Sequence, residues 1–194
     1  PPGEPWTYQN GEGHNASNGN LAASPGPLEQ DTSYTCVVDR WGNAFSATPS
    51  DGLFGAPVVP GLGIMISSRG TQSWLQEDHA SSLQPGKRPR LTPNPAMAFK
   101  DGKLFMPFGT PGGDAQDQWT LQFFLNYVEF GMELQEAMDA PTVHTVHFPS
   151  SFYPRQAFAG RVFAESRISS DIFSKLVNKG QEMVKNDPWQ HGKV

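Results

Sequence analysis

Residues 32–46 read TSYTCVVDRWGNAFS. A β-branched and aromatic run at 32–38 meets turn-forming residues at 39–43 and resumes as the short run 44–48, which predicts a β-hairpin bent at Asp39, Gly42 and Asn43. On the N-terminal side of Thr32 the texture changes abruptly. Residues 1–31 hold ten Gly and Pro, four acids (Glu4, Glu12, Glu29 and Asp31) and no Lys or Arg, with almost no apolar periodicity. They read as a flexible acidic linker or tail, and residues 32–194 as the folded portion.

Working outward, Ala96 to Phe99 and Leu104 to Phe108 flank Lys100-Asp101-Gly102-Lys103, where Asp-Gly supplies the positive φ values of a tight turn, so a second hairpin is expected. Residues 63–66, 161–165 and 181–185 predict further short strands. The strongest helical pattern covers about 114–130, with Asp114 as N-cap and Gly131 just past its end. Trp119, Leu121, Phe123, Phe124, Leu125, Tyr127, Val128 and Phe130 occupy more than one face of it, which predicts burial on most sides. Residues 134–139, stopped before Pro141, and the amphipathic stretch 170–179, ended by Gly180, predict two more helices. Strands precede, separate and follow the helices without a regular βαβ repeat, so the fold class is α+β.

Composition narrows the function classes. Gly and Pro together make 38 of 194 residues, a loop-rich chain that stays below the roughly 25–30% typical of low-complexity disorder. With 17% charged residues and a net charge of -5, no positive field is available for a phosphate backbone, and nucleic-acid binding is disfavoured. The four acids of residues 1–31 account for most of that net charge. One cysteine, Cys36, excludes an intrachain disulfide and a Cys-based zinc site. The longest charge-free run, residues 52–68, is 17 residues long and contains Pro57, Pro60 and four glycines, unlike the roughly 20 apolar residues of a spanning helix. Pro1-Pro2-Gly3-Glu4 has no basic or apolar leader character and reads as an internal chain start.

Two places carry candidate chemistry. Asp31-Thr32 is a junction of acidic tail and strand, and a cut there would free Thr32, whose own α-amine, with a reference pKa of about 7.7–8.0, lies beside its hydroxyl. One residue would then supply nucleophile and base. On composition alone the plainer reading, Thr32 as the first residue of a strand, is preferred. The second place is Phe108-Gly109-Thr110-Pro111-Gly112-Gly113-Asp114, a strand running through a glycine turn into the main helix. Its backbone N–H groups and the helix start suit a developing oxyanion. A plain strand-to-helix turn accounts for it equally well.

The run 32–46, Phe54-Gly55, Lys87-Arg88-Pro89, the Lys100-Asp101-Gly102-Lys103 turn, Thr110-Pro111-Gly112-Gly113 and Phe130-Gly131 through Asp139-Ala140-Pro141 resemble the small subunit of γ-glutamyltransferases in order and spacing, from Thr32 to about Lys185. That resemblance reverses the preference at Thr32. It implies an N-terminal-nucleophile hydrolase fold, a four-layer αββα sandwich completed by a large subunit from the same precursor, so that residues 1–31 would be its end and further strands would follow Val194. It implies autocatalytic cleavage between Asp31 and Thr32 and an acyl-Thr intermediate, with no cofactor and no metal. The oxyanion-hole glycines of the family fall on Gly112 and Gly113, and the hydroxyl that orients the nucleophile falls on Ser50. The substrate clamp departs from the pattern. An Asn becomes Gly52, the acid that holds the glutamyl α-amine becomes Gln72, Arg69 stands where a neutral or acidic residue is usual, and the two carboxylate-binding serines become Leu91 and Thr92. Arg69-Gly70, Asn94-Pro95 and the run from Gly112 to Gln116 are similar to branches acting on other amides, such as oxamate amidohydrolase. Arg69 could face a substrate carboxylate or pair with an acid at the surface. The expected activity is therefore hydrolysis or transfer of a γ-glutamyl-like or other carboxylated acyl amide, a small-molecule substrate. An unprocessed, inactive relative serving as a binding or assembly subunit is the competing class.

Other features read as structural. His144 and His147, three apart in an extended stretch, point to opposite faces and do not suit a shared metal. Lys87-Arg88-Pro89-Arg90 reads as a solvated basic turn, and Cys36, mid-strand, as a buried apolar filler.

Overall fold

The computed structural model describes residues 31–51, 57–191 and 194. The expected linker, apart from Asp31, therefore lies outside the described residues, as do Gly52, Phe54 and Gly55. The described chain divides into two compact units, one containing Thr32–Ser50 and Thr92–Val194, the other Asp31 and Asp51–Leu91.

The quoted stretch opens with strand β1 (Asp31–Thr32) and forms the hairpin of β2 (Thr35–Val38) and β3 (Ala44–Ala47), with Val38 opposite Ala44. Asp39 closes the bend: one carboxylate oxygen accepts the backbone N–H groups of Trp41 and Asn43, each at 2.9 Å, and the other accepts the Asn43 amide at 2.8 Å. The Asn43 side chain, ahead of the other bonds, holds the Asp39 carboxyl below its usual pKa.

The expected continuous strand from 32 to 38 is broken at Ser33-Tyr34. Thr32 belongs to the pair formed with β4 (Ser50–Asp51), and Ser33 N–H donates to Pro49 O at 2.9 Å. The break turns the Tyr34 ring toward Gly109, where a Cβ would lie 2.5 Å from it, and brings the Tyr34 hydroxyl to Ser46 Oγ at 2.8 Å. Cys36 is exposed rather than buried, because β2 pairs only with β3 and all four of its side chains are exposed.

In the other unit, β5 (Val58–Val59) and β6 (Ile64–Met65) form a short antiparallel hairpin, followed by a 3-10 turn at Ser68–Gln72. Trp74 stacks on His79 at 4.0 Å.

From Thr92 onward the larger unit continues with the second hairpin, β7 (Ala96–Lys100) and β8 (Lys103–Phe108), joined by Asp101 at φ 52 and Gly102 at φ 74. Two consecutive positive φ values are what a tight primed turn requires. Helix α1 (Gln116–Val128) comes after a short 3-10 turn at Gly113–Ala115. Asp114 is not its N-cap: Ala115 holds that place without a side-chain bond, and the Asp114 carboxylate turns instead to the 150–151 loop. Burial on most sides is also not what is found. Trp119, Thr120 and Phe123 are buried, whereas Leu121, Val128 and Phe130 are exposed. One face of α1 packs on the β7–β8 hairpin, with Phe108 stacked on Phe124 at 5.3 Å.

Its other packed face covers a sheet edge. After α2 (Leu134–Asp139), strands β9 (Val143–Thr145), β10 (Arg161–Glu165) and β11 (Glu182–Asn186) form a sheet ordered β11-β10-β9. Gln122 donates to Val143 O at 2.8 Å and accepts from Val143 N at 3.0 Å, and Gln118 does the same at Thr145 at 3.1 and 2.8 Å. Two glutamines one helical turn apart thus satisfy edge groups that a further strand would otherwise take. Helix α3 (Ser170–Asn178) links β10 to the parallel β11, capped by Ser169 and ended at Gly180 with φ 90.

Candidate active site

Thr32 and Ser50 are far apart in sequence and meet through the β1–β4 pair. Their hydroxyl oxygens lie 2.7 Å apart, so one donates to the other. Thr32 is half-buried, and Asp31 precedes it within β1.

The glycine turn is built from both sides. Thr110 is fully buried and its hydroxyl donates to Pro111 O at 3.0 Å. Gly112 has φ 140, and a Cβ there would sit 2.2 Å from Trp119 Cζ3. Only glycine fits, both for its backbone angle and for the indole pressed against it. Gly113 has φ 57 and faces open space up to Phe152 at 3.9 Å. Asp114 anchors the entry to α1, accepting Ser151 N–H at 2.7 Å, the Ser150 hydroxyl at 3.4 Å and the Ser151 hydroxyl. Gln116, almost wholly buried, accepts Asn94 N–H at 3.3 Å through Oε1, while its Nε2 has no partner among the described residues. Thr92 is buried and Leu91 is half exposed.

Arg69 and Gln72, in the unit of Asp51–Leu91, are brought together by the 3-10 turn: Arg69 Nη1 donates to Gln72 Oε1 at 3.2 Å. Burial lowers the Arg69 pKa from its ordinary value, and the nearby Asp51 charge opposes that shift. Gln72 is fully buried, and its Nε2 has no partner among the described residues. The Gln72 acceptor is thus engaged by Arg69, and the amide lies wholly inside this unit.

The histidines separate as expected. His144 stacks on Phe163 at 5.1 Å, and His147 Nδ1 accepts Gly160 N–H at 2.9 Å. Among the described residues no three His, Cys, Asp or Glu side chains gather to hold a metal ion. None of the described helices is long and apolar enough to cross a membrane. Sequence reasoning did not reach Trp119, Gln116 or the Asp114–Ser151 clamp as neighbours of the turn. For Trp119 and Gln116 the available signal was a position within one or two helical turns of Gly112-Gly113, and for Ser151 there was none.

A family model for gamma-glutamyltranspeptidase matches residues 6–194. The chain belongs to the γ-glutamyltranspeptidase family. It is 32% identical over 182 residues to the glutathione hydrolase proenzyme of Bacillus subtilis (strain 168), covering 93% of this chain and 29% of that protein. It is also 40% identical over 114 residues to the oxamate amidohydrolase proenzyme of Klebsiella pneumoniae, covering 57% of this chain and 21% of that protein. The solved structure of LmbA2991HD superposes with a TM-score of 0.76 at 47% identity, over 82% of this chain and 28% of that one. The chain thus spans less than a third of the length of these relatives. Its mixed α+β architecture is that of a partial N-terminal-nucleophile hydrolase domain of the γ-glutamyltranspeptidase family.

Proposed function

We propose that residues 32–194 are the catalytic portion of an autoprocessed N-terminal-nucleophile amidohydrolase in which Thr32 is the nucleophile. The observation that carries this reading is the 2.7 Å approach of Thr32 Oγ1 and Ser50 Oγ. A partner hydroxyl holds the threonine side chain in one rotamer at the end of a strand, where its reach is defined.

In processing, Thr32 Oγ adds to the Asp31 carbonyl carbon, the C–N bond breaks, and water hydrolyses the resulting ester. This leaves an Asp31 carboxylate and a free Thr32 α-amine. In turnover that amine takes the hydroxyl proton as Oγ attacks the substrate amide. The Gly112 and Gly113 N–H groups stabilise the oxyanion, and collapse expels the leaving amine with the transferred proton. Water, deprotonated by the same amine, then releases the acyl group as an acid and restores Thr32. Ser50 orients the nucleophile throughout, and no cofactor enters.

The substrate we infer is an amide of a carboxylated acyl group lacking an α-amine. Arg69 with the free Nε2 of Gln72 offers hydrogen-bond donors to a carboxylate, whereas a γ-glutamyl ammonium finds no acid at Gln72. Thr92 and Asn94, in the larger unit, are further substrate contacts that the family resemblance suggests. The Asp51 charge, close to Arg69, works against this preference. Exposed Val37, Trp41, Phe45, Leu121 and Phe130 supply apolar surface for a large subunit cut from the same precursor.

The test compares kcat/KM for glutaryl and γ-glutamyl p-nitroanilide in the full-length protein and in Thr32→Ala. Hydrolysis lost in Thr32→Ala and a preference of roughly tenfold for the glutaryl compound, equivalent to about 1.4 kcal/mol, support the reading. Undiminished turnover by Thr32→Ala overturns the mechanism. A better γ-glutamyl substrate overturns only the specificity.

A further inference from the structure

The Gly112 turn rests on a stack of three rings drawn from three parts of the larger unit. An ideal Cβ at Gly112 would meet Trp119 Cζ3 at 2.2 Å, Cε3 at 2.9 Å and Cη2 at 3.2 Å, so the indole lies directly against this glycine. Two imidazoles pack on the same indole. His191 stacks on it at 5.5 Å with an interplanar angle of 18°, and His144 meets its edge at 5.2 Å and 87°.

His191 is fixed as a wedge would be. It is 6% exposed. The Asn186 amide donates to its Nε2 at 2.8 Å, so that nitrogen accepts, and Nδ1 carries the proton toward Thr142 Oγ1 at 3.1 Å and Thr142 O at 3.2 Å. Its backbone N–H donates to Glu165 Oε1 at 3.4 Å, and the buried Glu165 is paired in turn with Arg167. The chain beyond β11 is thereby tied to β9 and β10 and sets its ring on Trp119.

Trp119 itself is buried with no partner for its indole N–H among the described residues. A buried donor left unsatisfied carries a cost that Phe or Leu would avoid. Simple filling of the core does not account for a tryptophan here, whereas the length of an indole that brings Cε3, Cζ3 and Cη2 to the glycine does.

We propose that Trp119, wedged by His191, is a positioning residue that holds the Gly112 N–H where the oxyanion develops. This inference rests on the proposed oxyanion role of Gly112 and extends it to residues that touch no substrate. Displacing the indole by a fraction of an ångström shifts the donor. Misplacement of about 1 Å is enough to cost on the order of a hundredfold in rate.

The test uses the full-length protein as wild type, Trp119→Phe, Trp119→Leu, His191→Phe and His191→Ala, with turnover expressed per processed active site. The processed fraction is counted as molecules bearing Thr32 at a free N-terminus. Trp119→Phe, Trp119→Leu and His191→Ala are expected to lower kcat per site by roughly tenfold to a hundredfold with KM changed less than about threefold, while His191→Phe keeps most of the rate. If the variants only reduce the processed fraction and leave kcat per site unchanged, the rings serve folding alone and the inference is wrong. It is equally wrong if KM rises and kcat does not. Should Trp119→Leu fail to fold, the His191→Ala and His191→Phe pair decides by the same criterion. A wild type that is never processed or never turns over an amide overturns the underlying reading instead, and this inference falls with it.

Discussion

Gly112→Ala places a methyl group in the tightest spot of the candidate site. The built Cβ lies 2.2 Å from Trp119 Cζ3, against about 3.5–4.0 Å for ordinary carbon contact, so turn or indole must yield by more than about 1 Å. Overpacking of this kind costs about 1–3 kcal/mol, and holding alanine at φ 140 adds about 1–3 kcal/mol more. If the backbone moves to escape, the Gly112 N–H leaves its place, and loss of this proposed oxyanion donor should lower kcat by about 10²–10³. Gly113→Ala is the control. Its Cβ would be 3.9 Å from Phe152 at φ 57, a left-handed position that costs alanine about 1–2 kcal/mol. Thermal melting and per-site kcat should therefore fall much further for Gly112→Ala than for Gly113→Ala. Adding Trp119→Leu to Gly112→Ala should recover part of the stability as a coupling in a double-mutant cycle. Equal damage from the two glycine substitutions, or additive behaviour in the cycle, would refute the contact as the cause.

Ser50→Ala removes the hydroxyl that meets Thr32 Oγ1 and should slow hydrolysis by about three- to tenfold, the net worth of one hydrogen bond, while Ser50→Thr keeps most of the rate. Arg69→Gln should erase the preference for glutaryl over γ-glutamyl p-nitroanilide, read as the ratio of the two kcat/KM values. Burial first, and the His191 charge second, lower the His144 pKa from 6.5 to about 4. The unfolded chain then binds more protons than the folded one between these values, so stability should fall as pH drops from about 6.5 toward 4 and level off below. His144→Phe should flatten that slope in denaturant titrations across this range, leaving the contribution of His191, which has the same sign.

Both hairpins were legible because their turns are local: Asp39 bonds its own bend, and Asp101-Gly102 takes the positive φ values its residue types permit. The helices 134–139 and 170–179 were readable for the same reason, through their caps and stops. What failed was any inference about what covers a surface. Apolar periodicity tells which side chains favour burial and not which layer supplies it, so Cys36 on β2 and Leu121 on α1 were expected inside and are exposed. Asp114 looked like an N-cap because residue type and position matched. Its carboxylate instead bonds Ser151, a partner set by tertiary packing. The Asp31-Thr32 junction raised Thr32 as a candidate nucleophile, and the family resemblance made it the preferred reading. The meeting of Trp119 with Gly112 was not legible at all, since it depends on the angle at which the turn enters α1.

The central claim is that Thr32 becomes a free N-terminus and does the chemistry. N-terminal sequencing of the purified, active full-length protein tests it most directly. The account predicts a polypeptide beginning Thr-Ser-Tyr-Thr-Cys, in step with amide hydrolysis and absent from Thr32→Ala. An active protein in which the Asp31–Thr32 peptide bond remains intact would contradict it.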